Sequence, residues 1–420
     1  MITILHNPSQ IITVNSDGVN YKIKKTINDL GILENHSIVI EDGIIKDIIH
    51  SSTVHKFTVD NTIVVSGKTV LPGFVDCHTH SVFAGSRANE FREKLAGKSY
   101  EDIVHEGGGI NKTVQAVREL TFEELVQLAI PRINYFIQQG VTTLEIKSGY
   151  GLDLENEIKL LRAIKDLNEM FPIDIIPTFL GAHTYPPEFK SNHAGYIDLI
   201  INKMLPAIAN EQLAVFCDAF IEDTAFSVND IERVFDAANK LGFKLALHTE
   251  QFNNIGGIDL VDKFTIANVD HLEVLRDEDI NKLAKSHTTA VLLPGVSLFQ
   301  KYNYAPARKL IDNNIITALA SDYNPGSCSI SNISVIMGLA ALNMQMTIEE
   351  VISAYTLNAA NALLLSKDRG SIEIGKKADF SVLETDDYSD LVYNFGKNLN
   401  YITIKNGNII YKKESIIENY

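Results

Sequence analysis

The sequence of 420 residues contains no tryptophan, only three cysteines and no long hydrophobic run. Cys77, Cys217 and Cys328 are too few and too scattered for a disulfide framework. No stretch of about 18 consecutive apolar residues exists, which argues against a membrane span. The first residues, MITILHNPSQ, lack the basic and apolar regions of an export signal. We therefore expect a cytoplasmic chain with no membrane partner.

Positive charge is also scarce. The chain has 53 Asp and Glu residues against 37 Lys and Arg residues, which gives a formal net charge of −16 at pH 7. Such a surface repels a phosphate backbone, so a nucleic-acid partner is not expected. Hydrophobic residues make up 45% and charged residues 21%, the composition of a globular protein. A small-molecule partner fits this chain better, since one local Arg or Lys can still bind an anion.

Short β-type segments predominate at both ends of the chain. Residues 37–49 and 61–71 alternate β-branched and polar residues around Asp-Gly and Ser-Gly turns. Residues 370–384 and 400–411 follow the same pattern, with Asn-Gly at a predicted hairpin turn. These patterns predict a small β-sandwich domain that is assembled from both termini.

The middle of the chain alternates apolar β-rich runs with stretches of helical periodicity. The β-rich runs are residues 70–77, 141–147, 173–182, 214–220, 243–249, 266–272, 288–294 and 316–322. The clearest helical stretches are residues 122–139, 154–170, 228–242 and 276–286. Eight strands with helical connections predict an α/β fold, namely a (β/α)8 TIM-like barrel over residues 70–366. The small β domain then takes residues 1–69 and 367–420.

A doubly wound open sheet is the alternative arrangement of such strands and helices. It is disfavoured because no Gly-rich phosphate-binding fingerprint follows the first strand. Residues 105–113, HEGGGINKT, are glycine-rich but lack the spacing of phosphate-binding loops. We expect this segment to form a flexible lid.

Five of the twelve histidines stand where predicted strands end. In a barrel of this kind the chemistry lies at the C-terminal ends of the strands. His78 and His80 follow the first strand as an H-x-H pair, and both side chains of such a pair point to the same side of an extended segment. Taken alone, the pair is more often a surface or packing accident. Here, however, the pair follows an apolar strand, and residues with ligand chemistry end later strands. A metal site is therefore the favoured interpretation.

His248 ends the fifth predicted strand and Asp322 ends the eighth. A hydrogen-bonded core histidine and a helix N-cap are the ordinary explanations for the two residues taken singly. Together with His78 and His80 they predict a His3Asp site for one metal ion at the barrel mouth. The carboxylate can also accept a proton from a metal-bound water molecule.

Each of four other residues near strand ends has more than one possible role. His183 and His271 can polarise a carbonyl group or support the metal ligands. Arg87 presents a fork that matches a carboxylate, although most loop arginines are solvated. Lys147 is either a modified, metal-bridging lysine or a structural cation. We favour the structural cation, because one metal ion already has a full set of ligands.

Several longer stretches are distinctive. They are VDCHTHSVFAGSRANEF, EGGGINKTV, TTLEIKSGYGLDLENEIKLLR, TFLGAHTYPPEF, VDHLE and SDYNPGSC. With these stretches, the chain from about residue 65 to 380 resembles the amidohydrolase superfamily, and more specifically its imidazolonepropionase family. The phrases EIKSGYGL, LGAHTYPPE and D-x-NPGS are specific to that family, whereas H-x-H marks only the superfamily.

The resemblance implies a homodimeric enzyme of histidine degradation that uses one Zn or Fe ion. Its reaction would be the hydrolysis of 4-imidazolone-5-propanoate, an imidazolone carboxylate, to N-formimidoyl-L-glutamate. The metal ligands that it implies are His78, His80, His248 and Asp322, and the catalytic groups are Asp322, His271 and Gln251. The substrate contacts that it implies are Arg87, Tyr150, His183, Gln251, Asn324, Gly326 and Ser327.

The chain departs from the family pattern in three places. Cys77 stands where proline is common, and Thr249 stands where alanine is common. Gln251 occupies a position at which some members have Glu. Because an amide is not a general base, proton transfer there would fall to Glu250, Asp322 or His271.

Two other functions compete with this interpretation. A deaminase or a hydantoinase-type ring opener would share the barrel and the metal and would differ in its substrate contacts. A hydantoinase-like site with two metal ions would need a carbamylated bridging lysine. A catalytically inactive barrel that serves as a binding protein should have lost a ligand or a mouth histidine, and all of them are present.

Overall fold

The structure, a computed structural model, describes residues 1–98 and 108–414. Two smaller sheets lie outside the barrel. A four-stranded sheet has the order β5-β4-β1-β6, and a six-stranded sheet has the order β18-β17-β16-β7-β2-β3. Their strands are β1 (Ile2–His6), β2 (Gln10–Ile12), β3 (Ile32–Leu33), β4 (His36–Glu41), β5 (Ile44–His50), β6 (Asn61–Val64), β7 (Thr69–Pro72), β16 (Phe380–Leu383), β17 (Asn400–Lys405) and β18 (Asn408–Lys412).

Eight parallel strands follow one another in chain order and form the barrel sheet. They are β8 (Phe74–Asp76), β9 (Val141–Lys147), β10 (Asp174–Ala182), β11 (Phe216–Ile221), β12 (Lys244–Thr249), β13 (Ile266–His271), β14 (Thr289–Leu292) and β15 (Thr317–Leu319). A parallel bridge between Thr79 and Tyr323 joins the continuations of the first and last strands. The predicted (β/α)8 barrel is confirmed, and it closes at the segment that carries the H-x-H pair.

The helices of the described residues lie mainly between these strands. They are Lys24–Ile27, Ala88–Leu95, Ile110–Glu119, Phe122–Gln138, Leu154–Met170, His193–Leu199, Leu205–Glu211, Val228–Lys240, Asp277–Leu283, Pro294–Gln300, Ala307–Asp312, Ile333–Met344, Ile348–Ala354, Leu357–Ala362 and Asp390–Tyr393. Short 3-10 turns span Ser51–Lys56, Pro187–Phe189 and Gly257–Asp262, and Ile200–Met204 is π-helical. No helix within the described ranges is both long enough and apolar enough for a membrane crossing.

The helix Leu154–Met170 illustrates how the sequence produces these elements. Asp153 caps it by accepting a hydrogen bond from the Asn156 N–H. Leu160, Ile164 and Leu167 recur at helical spacing and are fully buried, so one face packs against β10. The helix has the bounds that the sequence predicts, because the capping residue and the spacing of the apolar residues indicate the same segment.

The first predicted strand, residues 70–77, is wrong in one respect, because the structure divides it at Gly73. The Gly73 N–H donates to the carbonyl of Asp379. On its N-terminal side, β7 pairs with β2 and β16 in the six-stranded sheet. On its C-terminal side, β8 starts the barrel. A continuous apolar run therefore serves two different sheets.

The small β domain is a sandwich of the two smaller sheets, as predicted. Leu5, Ile38 and Ile40 of the four-stranded sheet share one buried apolar cluster with Phe380 and Ile402 of the six-stranded sheet. Alternate residues of each strand thus face a common core. The predicted hairpin is also present, with Asn406-Gly407 between β17 and β18 and positive φ at both residues.

The predicted lid over residues 105–113 is only partly described. Residues 105–107 lie outside the described residues. The helix Ile110–Glu119 includes the second half of the segment, so the expectation of a flexible lid is wrong there. The reason is that Val114 and Val117 lie one turn apart and are both buried.

Candidate metal centre and active site

The H-x-H segment is fixed by backbone hydrogen bonds at the barrel closure. The N–H of His80 donates to the carbonyl of Tyr323, and the N–H of Asp322 donates to the carbonyl of His78. Both bonds are about as long as ordinary backbone bonds, 2.9 and 3.0 Å respectively. The two histidines and the aspartate from opposite ends of the barrel domain are therefore adjacent.

Four side chains meet at this point, as the sequence predicted. One nitrogen each of His78, His80 and His248 lies within 4.8 Å of the others. The Oδ1 of Asp322 lies 3.4 Å from His78 Nε2 and 3.5 Å from His80 Nε2. Burial lowers the pKa of both of these histidines well below the usual value, which keeps their lone pairs available as ligands.

The atoms that face the centre fit a metal ion. His78 Nε2, His248 Nε2 and Asp322 Oδ1 are buried and have no hydrogen-bond partner among the described residues. Buried polar atoms without a partner are costly and call for a specific explanation. Three imidazole nitrogens and one carboxylate oxygen form a donor set that suits Zn(II) or Fe(II).

Two aspartates behind the histidines orient them. The Nδ1–H of His78 donates to Asp270 Oδ2 at 2.7 Å, and the Nδ1–H of His248 donates to Asp218 Oδ1 at 3.0 Å. These bonds fix the tautomer that leaves Nε2 for the metal. The sequence analysis did not assign Asp218 or Asp270 to the site. Their signal is a carboxylate within a predicted barrel strand, and both are buried in β11 and β13.

Lys147 lies beneath these carboxylates as a structural cation, the role that we favoured. Its Nζ donates to Asp218 Oδ2 at 2.8 Å and to Glu145 Oε1 at 3.0 Å, and it lies 3.7 Å from Asp270 Oδ2. Burial alone would lower the pKa of Lys147, but the three carboxylates raise it above the usual value. A protonated amine cannot form a carbamate, so the geometry does not support a lysine-bridged second metal.

A small pocket of about 50 Å³ is lined by three of the four candidate metal ligands, His80, His248 and Asp322. Its lining contains most of the residues that the sequence analysis assigned to the site, together with Phe220, which it missed. The lining residues are His80, Tyr150, His183, Phe220, His248, Gln251, His271, Asp322, Asn324 and Ser327. Phe220 could have been found from its place at the end of the fourth barrel strand, where side chains reach the mouth.

One wall of the pocket is aromatic. The rings of His80 and His183 stack with centroids 5.3 Å apart, and the ring of Tyr150 lies 5.5 Å from each. The Nδ1–H of His183 donates to the carbonyl of Gly149 at 3.0 Å, which leaves its Nε2 as an acceptor. Burial lowers the pKa of His183 to about 4, so this imidazole is neutral near pH 7.

His271 also lines the pocket, and Glu273 lies beside it. The two side chains approach to 3.5 Å between Nδ1 and Oε1. Burial alone would lower the pKa of His271, but Glu273 raises it above the usual value. His271 and Leu272 both have positive φ, 81° and 73°, a strained conformation for such residues. Backbone strain of this kind is concentrated at functional sites.

Gln251 and Glu250 are both buried, but only Gln251 lines the pocket. The Oε1 of Glu250 accepts a hydrogen bond from the Gly257 N–H at 3.0 Å. It therefore serves the loop after β12, and it is the least suitable of the three proton carriers that the sequence left open. Asp322 and His271 therefore remain the candidates for proton transfer.

The turn after Asp322 is organised by Asn324. Its Oδ1 accepts from the N–H groups of Gly326 and Ser327 at 2.8 and 2.7 Å, and its Nδ2 donates to Ser327 Oγ at 2.8 Å. Asn324 and Ser327 line both the small pocket and a larger adjoining cavity of about 670 Å³. The turn therefore separates the metal centre from the outer cavity.

Arg87 lies in the outer cavity, beside the same turn. Its Nε donates to Glu90 Oε2 at 2.8 Å, which leaves the two terminal nitrogens for other partners. A Cβ on Gly326 would lie 2.0 Å from the Arg87 Nη1, so only glycine permits this close packing. Arg87, a predicted substrate contact, is thus adjacent to Gly326, but it lies outside the small pocket.

A barrel with three histidines and an aspartate at its strand ends defines the class of metal-dependent hydrolases. The family model described as "Amidohydrolase family" matches residues 69–410. The chain therefore belongs to the amidohydrolase family and is a hydrolase that acts on C–N bonds.

Closer relatives narrow this class to one group. The chain is 42% identical over 417 residues to the imidazolonepropionase of Alkaliphilus oremlandii, covering 98% of this chain and 99% of the relative. It is 43% identical to that of Clostridium tetani, covering 98% of each protein. At this similarity and coverage, the chain is a member of the imidazolonepropionase family.

Solved structures share the fold at much lower sequence identity. A zinc-bound adenosine deaminase from Xanthomonas campestris superposes with a TM-score of 0.74 at 15% identity, covering 99% of this chain and 94% of the other. Guanine deaminase of E. coli has a TM-score of 0.74 at 14% identity and covers 99% and 100% respectively. These two similarities concern the fold alone.

Proposed function

We propose that the chain hydrolyses 4-imidazolone-5-propanoate to N-formimidoyl-L-glutamate, a step of histidine degradation. The observation that carries the proposal is identity above 40% with imidazolonepropionases over nearly the whole length. In this reaction, a water oxygen bonds to the ring carbonyl carbon, the amide C–N bond of the ring breaks, and the freed nitrogen takes a proton. The pocket supports this chemistry, because it combines metal-ligand residues with two groups that can move a proton.

The metal that we propose is one Zn or Fe ion, held by His78, His80, His248 and Asp322. The orphaned atoms of this cluster support the assignment. When bound, such an ion lowers the pKa of a water molecule and polarises a carbonyl group. The carboxylates of Asp218 and Asp270 hold two of the histidines in the tautomer that this requires.

Asp322 is the proton carrier in this scheme. Burial raises the pKa of its carboxyl group, while a cation bound beside it would favour the charged, proton-accepting form. It accepts the proton of the attacking water and delivers it to the leaving ring nitrogen. Glu273 raises the pKa of His271 against the effect of burial, which favours the protonated ring, and His271 would donate a hydrogen bond to the carbonyl oxygen as negative charge develops there. Gln251 cannot act as a base, so we assign it to hydrogen bonding with the ring.

Substrate binding is assigned to both sides of the turn at Asn324. Arg87 binds the propanoate in the outer cavity with its free terminal nitrogens. Tyr150 and His183 contact the ring in the small pocket, which both of them line. Asn324, Gly326 and Ser327 hold the ligand between these positions, which supports orientation of the ring over the metal centre.

The wider organisation of the protein is also part of the proposal. We propose a barrel domain and a composite β domain, divided as the sequence predicts into residues 70–366 and residues 1–69 with 367–420, except that β7 (Thr69–Pro72) belongs to the β domain. The resemblance to the family supports a homodimer, and light scattering on the purified protein tests it. Three buried free cysteines are compatible with a reducing cytoplasm, which we propose as the location.

The test is to mix purified protein with freshly made 4-imidazolone-5-propanoate and follow the loss of its ultraviolet absorbance. Metal is quantified on the same sample, and the product is identified by mass. We expect about one metal ion per chain, chelator-sensitive turnover and formimidoylglutamate as product. A folded, metal-loaded sample without turnover would discard this substrate, and deaminase and hydantoinase substrates would follow. About two metal ions per chain would contradict the single-ion site.

A further inference from the structure

The loop Ser148–Leu152, which carries Tyr150, is held by one buried carboxylate. Glu157 lies in the first turn of the helix Leu154–Met170 and is fully buried. Its Oε1 accepts from the N–H groups of Gly149, Gly151 and Leu152 at 3.2, 2.8 and 2.9 Å. Its Oε2 accepts a second bond from Gly149 at 3.1 Å. One side chain thus accepts hydrogen bonds from three of the five backbone N–H groups of the loop.

The loop needs this support because its backbone is unusual. Leu152 has a φ of 55° and Gly149 a φ of 99°, both in the left-handed region. A Cβ on Gly151 would lie 2.5 Å from the backbone of Asn156 and Glu157, so the loop rests directly on the start of the helix. Strained backbone persists only where surrounding contacts over-determine it.

The loop orients two side chains of the pocket. Tyr150 is part of the loop, and its ring contacts both His80 and His183. The carbonyl of Gly149 accepts the Nδ1–H of His183 and so fixes that ring as well. Glu157 does not line the pocket, and it makes no hydrogen bond to a proposed metal ligand among the described residues.

We infer that Glu157 is a positioning residue for substrate binding, which acts through the loop on Tyr150 and His183. The inference rests on the proposed function, since it takes those two residues to contact the substrate. Because Glu157 has no contact with a proposed metal ligand among the described residues, loss of Glu157 should affect substrate binding more than the chemical step.

The experiment compares Glu157→Gln with wild type for KM, kcat, metal content and thermal unfolding. The glutamine replaces one acceptor oxygen with a donor and removes the charge. We expect a rise in KM of about tenfold, because loop N–H groups lose their acceptor, with kcat changed by no more than about threefold and metal content unchanged. Glu350→Gln is the matched control, since Glu350 is a buried carboxylate that accepts from Thr347 and Arg308 far from the pocket. It should lower the unfolding temperature and leave KM unchanged.

Two further comparisons extend the test, and the first of them does not depend on the folding of Glu157→Gln. Gly151→Ala displaces the loop from the helix while Glu157 stays intact, and it should give the same rise in KM. In the Tyr150→Phe background, Glu157→Gln should raise KM by less than in wild type, because the two residues share one effect. An unchanged KM in both Glu157→Gln and Gly151→Ala would overturn the positioning role. The same holds if the separate effects of Glu157→Gln and Tyr150→Phe on KM multiply fully in the double variant. Wild-type protein without turnover would instead reject the proposed function itself.

Discussion

Lys147 and Asp218 form a buried ion pair at 2.8 Å, and a proposed metal ligand rests on it. The second oxygen of Asp218 accepts from His248, so the cation, the carboxylate and the imidazole form one chain. Both charged side chains are almost completely buried, where an unpaired charge is strongly unfavourable. The ion pair therefore connects the stability of the barrel to the geometry of its metal centre.

We predict that Lys147→Met loses both stability and metal. Removing the cation leaves Asp218 and Glu145 buried without compensation, which should lower the free energy of unfolding by about 3–5 kcal/mol. Urea denaturation and metal analysis on the same preparation measure the two effects. Lys263→Met is the control, because the Lys263–Glu232 pair is exposed and should contribute less than about 1 kcal/mol. Full metal content in Lys147→Met would mean that Asp218 orients His248 unaided.

Asp322→Asn should abolish turnover without unfolding the protein. Asparagine has nearly the same shape but cannot accept the proton of the attacking water, so kcat should fall by at least about 100-fold. Steady-state kinetics and a thermal melt on the same sample check the prediction. Turnover close to that of wild type would exclude the proton-carrier role of this residue.

The guanidinium of Arg87 should matter for substrate binding and not for the metal. Arg87→Ala should raise KM by roughly 10- to 100-fold, the effect of losing hydrogen bonds to a charged group. Arg87→Lys should recover only part of this, since an ammonium group cannot form the two-pronged contact. Metal content should match wild type in both. Arg92→Ala, an exposed arginine of the same helix, should leave KM unchanged.

Asp174 should make the protein sensitive to acid. It lies at the start of β10 and pairs with Lys405 at 2.6 Å and with Arg369, both from the C-terminal segment. Burial alone would raise the pKa of Asp174, but Lys405, Arg369 and Lys377 lower it to about 2. Because the folded-state pKa is depressed, the stabilisation is present above the unfolded pKa of about 3.8 and is lost as pH falls towards 2.

The variant Asp174→Asn tests this pH dependence. At neutral pH it should lower the free energy of unfolding by about 1 kcal/mol, allowing for solvent screening of a group that is one-third exposed. The difference from wild type should disappear as pH falls from about 4 to about 2. Denaturation curves across that range measure it. In a Lys405→Met background the effect of Asp174→Asn should shrink, and a constant difference at every pH would refute the ion-pair explanation.

The barrel and the convergence of its four candidate metal ligands were predictable because two local signals coincide. Strands such as β9 and β10 are apolar runs of the right length, and residues with ligand chemistry follow several of them. Chain order then sets spatial order, since each parallel strand pairs with the next. His78 and Asp322 could be placed together from the sequence because a barrel also closes its last strand against its first.

The supporting charges could not be predicted in the same way. Asp218, Asp270 and Lys147 meet through side chains of three different strands, and strand register decides which carboxylate reaches which nitrogen. The contact of Arg87 with Gly326 also depends on how two distant loops fold over the barrel. Likewise, nothing in the apolar run from 70 to 77 shows that Gly73 divides it between two sheets.

The pairing of β7 with β16 has a consequence for how the chain folds. Thr69 lies opposite Leu383, so a strand made early in synthesis acquires its neighbour only when nearly the entire polypeptide has left the ribosome. Until then the edge of β7 that will face β16 is open to pairing with other chains, since β2 already pairs with β3 and β7. Contacts between such distant positions form slowly. We therefore expect the barrel to condense first and the terminal strands to join last, with aggregation of incomplete chains as the characteristic failure.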